Sequence, residues 1–392
     1  MSILDPELEA ELDSLERRAL RRKLRVIDGA HEPRVNVGGR WMLMLSSNNY
    51  LGLAAHPVLR DAAVAAIGGY GVGAGASRLV AGSLAPIHEL EREIADLKGV
   101  AAALVFGSGY LANLGAITAL AGADDAIFSD ELNHASLIDG CRLARATLRI
   151  YRHREVDHLA ALLAETRGAR RRIIVTDSVF SMDGDFAPLA EIVSLARTYR
   201  AAVMIDEAHG VGVVGPGGAG LAAHLGLERE IDVHVGTLSK ALGSYGAYVA
   251  GSRALIDYLL NRARSFIYST GLAPALAAAA SAAIRMMRGS PEIIARLWAN
   301  ASYLRERLEG AGFRLGATAS PILPVMIGES SAALKMAAAL YQRGVYVIAI
   351  RPPTVPPGTA RLRVTPTAAH SRADLEEAAA AFVAAGRELG LI

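Results

Sequence analysis

The chain has 392 residues, of which 52% are hydrophobic, and its formal net charge at pH 7 is +2. That length exceeds what one hydrophobic core usually supports, so a large domain with a smaller companion is expected. The single cysteine, Cys141, excludes an internal disulfide and a cysteine-based metal site, and no metal is expected. The charge balance does not indicate a nucleic-acid binder. No apolar stretch is long enough to cross a bilayer and the N-terminus is acidic, which indicates a cytoplasmic protein without a membrane partner.

Leucines spaced along one helix face open the chain, and strand-like and helical segments alternate after them. The leucines between Leu8 and Leu24 recur among charged residues, so residues 1–45 are predicted to form a helical arm. The alternation that follows favours parallel strands joined by crossover helices. The predicted strands are 101–106, 126–129, 147–151, 172–178, 202–206, 232–237 and 246–250.

The pattern changes after an alanine-rich helical stretch at residues 274–287. The elements predicted beyond it are a helix at 291–310, a strand at 322–327, a helix at 331–343, strands at 345–350 and 360–365, and a helix at 371–388. The expected fold class is α/β, with a mostly parallel central sheet in a large domain over residues 46–287. Residues 288–392 are expected to form a smaller α+β domain.

Lysine is scarce, and one lysine differs from the rest in its surroundings. No lysine follows a glycine, which excludes a GxxxxGK[ST] phosphate loop. Lys240 lies beside the hydroxyls of Thr237 and Ser239 in an uncharged loop, where a depressed pKa would leave its amine free to form a Schiff base. The others lie in charged or helical patterns typical of the surface; they are Lys23, Lys98 and Lys335.

A carboxylate and a histidine follow the predicted strand at 202–206. Asp206 ends that strand, and His209 comes three residues later in a glycine-rich turn. Ligands of open α/β sheets bind at the carboxyl ends of the strands, so both side chains can reach one ligand. A carboxylate there can keep a pyridine nitrogen protonated while the histidine donates to a ring hydroxyl. Beside Lys240, this pattern favours a pyridine cofactor over an aspartate that only caps the next segment.

Two further segments have the character of cofactor-binding loops. Residues 106–113, with the sequence FGSGYLAN, follow a strand and begin a helix, so their backbone N–H groups can bind a phosphate. His134 follows the predicted strand at 126–129 and could stack on a planar ring. Taken singly, the first segment could be a simple tight turn and His134 a polar loop residue.

Six segments in chain order match one known family. They are SNNYLGL at 47–53, NHAS at 133–136, SVFSMDG at 178–184, DEAHG at 206–210, TLSK at 237–240 and YST at 268–270. Together they resemble the α-oxoamine synthases, which are fold-type I enzymes of the aspartate aminotransferase architecture that use pyridoxal 5'-phosphate (PLP). The resemblance covers nearly the whole chain. It implies decarboxylative condensation of an amino acid with an acyl thioester, in a homodimer with its site at the subunit interface.

The resemblance also implies roles for individual residues. It makes Lys240 the Schiff-base lysine, Asp206 the partner of the pyridine nitrogen and His134 the residue that stacks on the ring, and these three are the predicted catalytic residues. The further cofactor contacts that it implies are Gly109, Tyr110, Ser181, His209 and Thr237, with Ser269 and Thr270 reaching the phosphate from the neighbouring subunit. The substrate contacts that it implies are Arg21, Asn48, His134, Arg351 and Thr354.

Residues 349–363 bear on the choice of substrates. They are most similar to family members that join L-alanine to a pimeloyl thioester, carried by CoA or by acyl carrier protein. In this resemblance Arg351 binds the amino acid carboxylate, Thr354 lies beside the substrate and Arg21 contacts the acyl group. Residues 365–370 also resemble the glycine-using aminolevulinate synthases. A relative that uses glycine, or a long acyl chain, therefore stays an alternative.

Two motifs leave other functional classes open. Residues 210–215 satisfy GxGxxG, yet residues 207–209 separate them from the strand, and a nicotinamide dehydrogenase would give Lys240 no task. Residues 206–209 spell a helicase motif, but a nucleic-acid motor would need the missing phosphate-loop lysine. A structural or binding protein is a third class, and it would take up no colour with PLP.

Overall fold

The computed structural model describes residues 3–18, 20–22, 24–166 and 168–392. The chain folds into two units. The first unit contains the described residues up to Ser47 together with Met182–Gly184 and Trp298–Ile392. The second unit consists of Asn48–Ser181 and Asp185–Leu297. The domain boundaries expected at 45/46 and 287/288 stay a prediction.

The elements alternate along most of the described chain. The strands are β1 Ile27–Asp28, β2 Arg34–Val37, β3 Arg40–Met44, β4 Ala102–Phe106, β5 Ala126–Asp130, β6 Thr147–Tyr151, β7 Arg172–Asp177, β8 Ala202–Asp206, β9 Val233–Thr237, β10 Ala247–Gly251, β11 Leu323–Gly328, β12 Val345–Tyr346, β13 Ala349–Ile350 and β14 Ala360–Val364. The helices are α1 Asp5–Arg17, α2 Pro57–Tyr70, α3 Ala85–Lys98, α4 Gly109–Leu120, α5 Ala135–Leu143, α6 Val156–Glu165, α7 Leu189–Tyr199, α8 Leu221–His224, α9 Arg253–Arg262, α10 Arg264–Ile267, α11 Pro274–Gly289, α12 Glu292–Gly310, α13 Ser330–Gln342 and α14 Arg372–Glu388. In the part of the chain that the structure describes, no helix is both long and apolar enough to cross a membrane.

The second unit is built on one mixed sheet. Its described strands follow the order β4-β10-β9-β8-β7-β5-β6. The pairs from β6 to β9 are parallel, whereas β10 runs antiparallel to both β4 and β9. Every residue of β5 and β9 is buried, because helices cover both faces of such a sheet and make a continuous apolar run favourable. The mostly parallel sheet predicted from the sequence is confirmed.

The first unit carries two smaller sheets, of order β1-β2-β3-β12 and β11-β14-β13 among the described strands. Among the described residues of the arm predicted to be helical over 1–45, the helix spans Asp5–Arg17 alone. Residues 34–44 form an antiparallel hairpin instead, because Gly38 and Gly39 take positive φ values of 61° and 85° and alternate residues on either side are apolar.

The single strand predicted at 345–350 is two short strands in the structure, β12 and β13. Val345 pairs in parallel with Leu43, whereas Ala349 pairs antiparallel with Leu362 in the other sheet. The run is continuous in its apolar character, but its two ends find different partners. The prediction of a single strand was therefore wrong.

Candidate active site

Carboxylates lie side by side at the carboxyl edge of the large sheet. Asp177 ends β7 and Asp206 ends β8, and the parallel register pairs the two residues directly. Both are buried, with 5% and 4% of their surface exposed. Burial, and then the charge of Asp206, hold the pKa of Asp177 well above its usual range. Burial and the neighbouring carboxylate thus both disfavour the charged form of Asp177.

Lys240 follows the next strand and faces a histidine. Its Nζ lies 2.8 Å from Nε2 of His209, whose Nδ1 lies 2.6 Å from Oη of Tyr50. The loop that carries Lys240 is held by Thr237 and Ser239, whose hydroxyls both donate to the carbonyl of Gly246, at 3.0 and 3.2 Å. The amine is half-buried and held against the turn that follows Asp206.

The carboxylate of Asp206 is fixed by two donors. Oδ1 accepts from the backbone N–H of Ala208 at 2.8 Å, and Oδ2 accepts from Nδ2 of Asn113 at 2.6 Å. Donors of this kind favour the ionised form of a carboxyl group. Each oxygen has a second lone-pair direction, so the group can accept one more proton donor such as a protonated ring nitrogen.

His134 begins helix α5 beside these carboxylates. Its backbone N–H donates to Oδ2 of Asp177 at 2.6 Å, and its Nδ1 lies 2.8 Å from Oγ of Ser136. Burial lowers the pKa of His134; the charge of Asp206 opposes that change and the charge of Lys240 adds to it. The imidazole is therefore neutral at neutral pH. The structure thus places His134, Asp206, His209 and Lys240 at the same edge of one sheet.

Helix α4 presents its N-terminus after strand β4. The hydroxyl of Ser108 caps the N–H of Leu111 at 3.3 Å, and a Cβ atom at Gly109 would meet nothing within 4 Å. The N–H groups of the first turn have no intrahelical partner, so this end suits an anion. The hydroxyl of Tyr110 donates to Oδ2 of Asp139, and that hydrogen bond raises the pKa of the phenol. Any contact of Tyr110 with a phosphate therefore falls to its backbone.

Four other predicted site residues also belong to the second unit; they are Asn48, Ser181, Ser269 and Thr270. Asn48 lies next to the hydrogen-bonded pair of Tyr50 and His209, since its Oδ1 is 3.5 Å from Oη of Tyr50. Ser181 follows β7 in a turn, and Thr270 forms a bridge with Ser77 just after Ser269. The assignment of Ser269 and Thr270 to a neighbouring subunit stays a prediction.

The remaining predicted substrate residues meet in the first unit. Arg21, Arg351 and Thr354 line one cavity of about 440 Å³, together with apolar side chains such as Leu24 and Val347. Burial lowers the pKa of Arg351, and the charge of the neighbouring Arg22 adds to the effect. Four arginines line the cavity, Arg21, Arg22, Arg25 and Arg351, and guanidinium groups beside apolar side chains suit an acyl chain or amino acid that carries a carboxylate.

Lys98, expected in a surface pattern, is buried with only 2% of its surface exposed. Its Nζ donates to Oε2 of Glu207 and to the carbonyl of Ala219. The surface prediction was wrong because α3 carries charges on most of its length, and the sequence does not show that its last residue lies under a loop. Oε2 of Glu207 also lies 3.3 Å from Nδ1 of His234. Lys98, Glu207 and His234 thus form a buried ionic cluster, and Glu207 directly follows Asp206 in the sequence.

Sequence reasoning also missed several polar residues that touch the predicted ones. Tyr50, Asn113 and Ser136 fall inside motifs that the sequence analysis quoted, but nothing distinguished them from their neighbours. Ser178 donates from Oγ to the backbone carbonyl of Asp206 at 3.0 Å. No sequence signal marks Asn113, because the partner that gives it a role, Asp206, is brought to it only by folding.

The chain is similar to known proteins over nearly its whole length. The class I and II aminotransferase family matches residues 40–382. An 8-amino-7-oxononanoate synthase of Anaeromyxobacter dehalogenans is 53% identical over 375 residues, which cover 96% of this chain and 94% of that protein. The chain belongs to the 8-amino-7-oxononanoate synthase family. The resemblance drawn from six sequence motifs is confirmed.

Solved structures agree on the fold. A serine palmitoyltransferase from S. paucimobilis, with bound PLP-myriocin aldimine, matches with a TM-score of 0.94 and 34% identity, covering 100% of both chains. An 8-amino-7-oxononanoate synthase from Francisella tularensis matches with a TM-score of 0.77 and 26% identity, covering 90% of this chain and 99% of that one. The predicted fold-type I transferase architecture is confirmed.

Proposed function

We propose that this chain condenses L-alanine with a pimeloyl thioester to give 8-amino-7-oxononanoate, CO2 and free thiol, a step of biotin biosynthesis, with PLP as its cofactor. The observation that carries the proposal is the position of Lys240. Its amine lies against His209 at the edge of the sheet where Asp206 is the last residue of β8. The chain's high identity to proteins named for this product supports the substrates. A homodimer in the cytoplasm is part of the proposal.

The residues at the sheet edge fit PLP. A half-buried amine suits the aldehyde, a buried carboxylate with free acceptor capacity suits the pyridine nitrogen, and a helix N-terminus suits the phosphate. Lys240, Asp206 and the first turn of α4 would hold these three parts. When bound, PLP supplies a pyridinium ring that takes up negative charge from the α-carbon of an amino acid.

The other predicted contacts complete this assignment. His209 and Ser181 would contact the ring hydroxyl, and His134 would stack on the ring. The phosphate contacts would be the backbone of Gly109 and Tyr110 with Thr237, and Ser269 and Thr270 of the neighbouring subunit.

The chain's own groups then have distinct tasks in proton transfer. Lys240 removes the α proton of alanine at its Nζ, because the half-buried amine lies at the sheet edge where the substrate would bind. Asp206 holds the proton on the ring nitrogen, since its two fixed hydrogen bonds keep it an acceptor. His134 donates from its ring to the oxygen that develops charge when the thioester is attacked.

Substrate recognition is assigned to the cavity of the first unit and to Asn48. Arg351 would bind the carboxylate of alanine through a bidentate contact, with Thr354 beside the substrate. Arg21 would contact the acyl chain and its far carboxylate. The pimeloyl carrier is either CoA or acyl carrier protein.

A matched pair of lysine variants tests the cofactor assignment. Lys240→Ala should still bind PLP weakly but lose the visible absorption band of the lysine-bound cofactor, because it lacks the amine that bonds to PLP. Lys335→Ala, which removes an exposed lysine of α13, should keep the band. A normal band in Lys240→Ala would contradict the assignment.

Thiol release with a panel of substrates tests the reaction. Alanine, glycine and serine are each offered with pimeloyl-, acetyl-, succinyl- and palmitoyl-CoA, and we expect turnover with alanine and pimeloyl-CoA. The close likeness to serine palmitoyltransferase makes serine with a long acyl chain the second candidate. Turnover only with glycine or serine would overturn the substrate assignment and leave the family intact.

A further inference from the structure

Asn113 is a buried amide whose hydrogen bond to Asp206 serves the proposed reaction and whose second hydrogen bond has no role assigned in it. It lies in helix α4 with 0% of its surface exposed, and its Nδ2 donates twice. One hydrogen bond goes to Oδ2 of Asp206 at 2.6 Å, and the other goes to Oγ of Ser136 at 2.9 Å. A single amide group therefore touches the carboxylate assigned to the ring nitrogen and a neighbour of His134.

The direction of these hydrogen bonds follows from their chemistry. An ionised carboxylate only accepts, so the nitrogen of the amide and not its oxygen must face Asp206. Ser136 then receives one of the amide hydrogens, which leaves its own hydrogen free to donate. Nδ1 of His134 is the acceptor within reach, at 2.8 Å from Oγ.

A second donor points at the same histidine nitrogen. The backbone N–H of Ser136 lies 3.3 Å from Nδ1 of His134. A nitrogen that accepts from its neighbours carries no hydrogen, so the single hydrogen of the neutral imidazole lies on Nε2. The chain of bonds runs from Asn113 through Ser136 to His134, with every donor aimed the same way.

We propose that Asn113 is a positioning residue for the reaction, which holds Asp206 as an acceptor and, through Ser136, fixes the hydrogen of His134 on Nε2. The inference rests on the proposed function for its catalytic meaning. It assigns the two groups opposite tasks, because the carboxylate of Asp206 accepts a hydrogen bond and Nε2 of His134 donates one. Loss of the amide would free the carboxylate of Asp206 and the tautomer of His134 together.

Histidine tautomers in the cofactor-free protein provide a readout that does not depend on turnover. In wild-type protein labelled with ¹⁵N, we expect His134, assigned by its loss in His134→Gln, to show the Nε2–H tautomer. Ser136→Ala removes the hydroxyl donor to Nδ1 and leaves the hydrogen bond from Asn113 to Asp206. Asn113→Ala removes the donors to Ser136 and Asp206 together. Both variants should raise the share of the Nδ1–H tautomer of His134 above that of the wild type, although the backbone N–H of residue 136 still donates to Nδ1.

The visible absorption band of bound PLP tests the part of the proposal that concerns Asp206 separately from the part that concerns His134. Asn113→Ala should shift the pH midpoint of the visible band, because the carboxylate assigned to the ring nitrogen loses a hydrogen bond that fixes it, whereas Ser136→Ala should shift it less. In kinetic assays with alanine, kcat should fall about 10- to 100-fold in Asn113→Ala, as expected for a lost hydrogen bond to a charged group. Thr118→Ala is the matched control, since this hydroxyl of the same helix donates only to the carbonyl of Leu114 at 2.6 Å.

Four possible results are distinguishable. An unchanged tautomer of His134 in Ser136→Ala and in Asn113→Ala would overturn the inference. A lower unfolding midpoint of Asn113→Ala with wild-type tautomer and band would overturn it too, since the amide would then only stabilise the fold. If Asn113→Ala does not fold, Ser136→Ala decides the histidine arm alone. A wild-type protein without any band on adding PLP would refute the proposed function, while the tautomers would still decide the inference.

Discussion

His153 shows how two carboxylates can override burial at a single residue. Its Nδ1 lies 3.0 Å from Oδ1 of Asp130, and its Nε2 lies 3.0 Å from Oδ2 of Asp185. Burial lowers the pKa of His153, but the hydrogen bonds and charges of the two aspartates outweigh it and raise the pKa to about 9. The charged ring ties the end of β5 to the turn after β7, two segments that carry the predicted site.

The raised pKa of His153 predicts a pH-dependent stability. Protonation is favoured by folding, so the contribution is fully present below the unfolded pKa of about 6.5 and is lost as the pH rises through about 9. His153→Gln should lower the free energy of unfolding at pH 6 by about 1–2 kcal/mol, a value reduced because the ring is partly exposed to solvent. The difference should shrink when urea unfolding is repeated above pH 9.

A neighbouring histidine provides the control for that measurement. The ring of His158 accepts a hydrogen bond from the backbone N–H of Arg152 at 3.0 Å. His158→Gln should leave the pH dependence of unfolding close to that of the wild type. A deficit of His153→Gln that is equal at pH 6 and above pH 9 would contradict the electrostatic explanation.

At the scale of elements, the turn after β8 is shaped by the loop of Lys240. Gly212 has a φ of 74°, and a Cβ atom there would lie 2.5 Å from Cβ of Ala241. Backbone that approaches so closely leaves room only for glycine. The turn and the loop of Lys240 are therefore packed against each other, which positions the amine relative to His209.

Gly212→Ala should disturb the position of Lys240. We expect the visible band of the PLP-loaded protein to weaken or shift, and the unfolding midpoint in urea to fall, because the new methyl group displaces Ala241. Gly226→Ala is matched for backbone strain, with a φ of 66° and nothing within 4 Å of the added atom. The control should lose some stability and keep the band. Equal effects of the two variants would show that strain, not the contact with Ala241, is responsible.

The elements that could be predicted are those whose burial is visible in their own residue pattern. Strands such as β5 and β9 are apolar throughout because helices cover both faces of their sheet, so the pattern alone identifies them. The run at 345–350 was misjudged because a strand's membership of a sheet depends on its partners, which are distant in sequence. The hairpin at residues 34–44 was missed although Gly38 and Gly39 mark its turn.

The same distinction applies to the candidate site. Lys240, Asp206 and His209 could be found because reactive residue types follow strands in recognisable motifs. Asn113 and Lys98 could not, because their partners lie 93 and 109 residues away and only folding brings them together. Contacts that depend on tertiary structure leave no periodic trace in the sequence.

At the scale of the molecule, the two units can be followed by separate signals. Both tryptophans of the chain, Trp41 and Trp298, belong to the first unit. Lys240 belongs to the second unit, so the band of bound PLP reports there. Unfolding of the second unit can therefore be followed by the PLP band, and unfolding of the first unit by tryptophan fluorescence.

The buried cluster of Lys98, Glu207 and His234 should dominate that stability. Burial raises the pKa of Glu207, but the charges and hydrogen bonds of Lys98 and His234 outweigh it and lower the pKa to about 2. Glu207 is therefore charged at neutral pH although 0% of its surface is exposed. Glu207 also accepts from the backbone N–H of Ala222 at 3.2 Å, so the cluster ties α3 to α8 and to β9.

Lys98→Met leaves the charge of Glu207 buried without its main partner, which should cost about 3–5 kcal/mol. The urea midpoint followed by the PLP band should fall accordingly, whereas Lys335→Met, an exposed change in the first unit, should leave it in place. The double variant Lys98→Met/Glu207→Leu removes both charges and should recover part of the loss, because no uncompensated charge then stays buried. A double variant less stable than Lys98→Met would show that the carboxylate is stabilised without the lysine, through His234 and the N–H of Ala222.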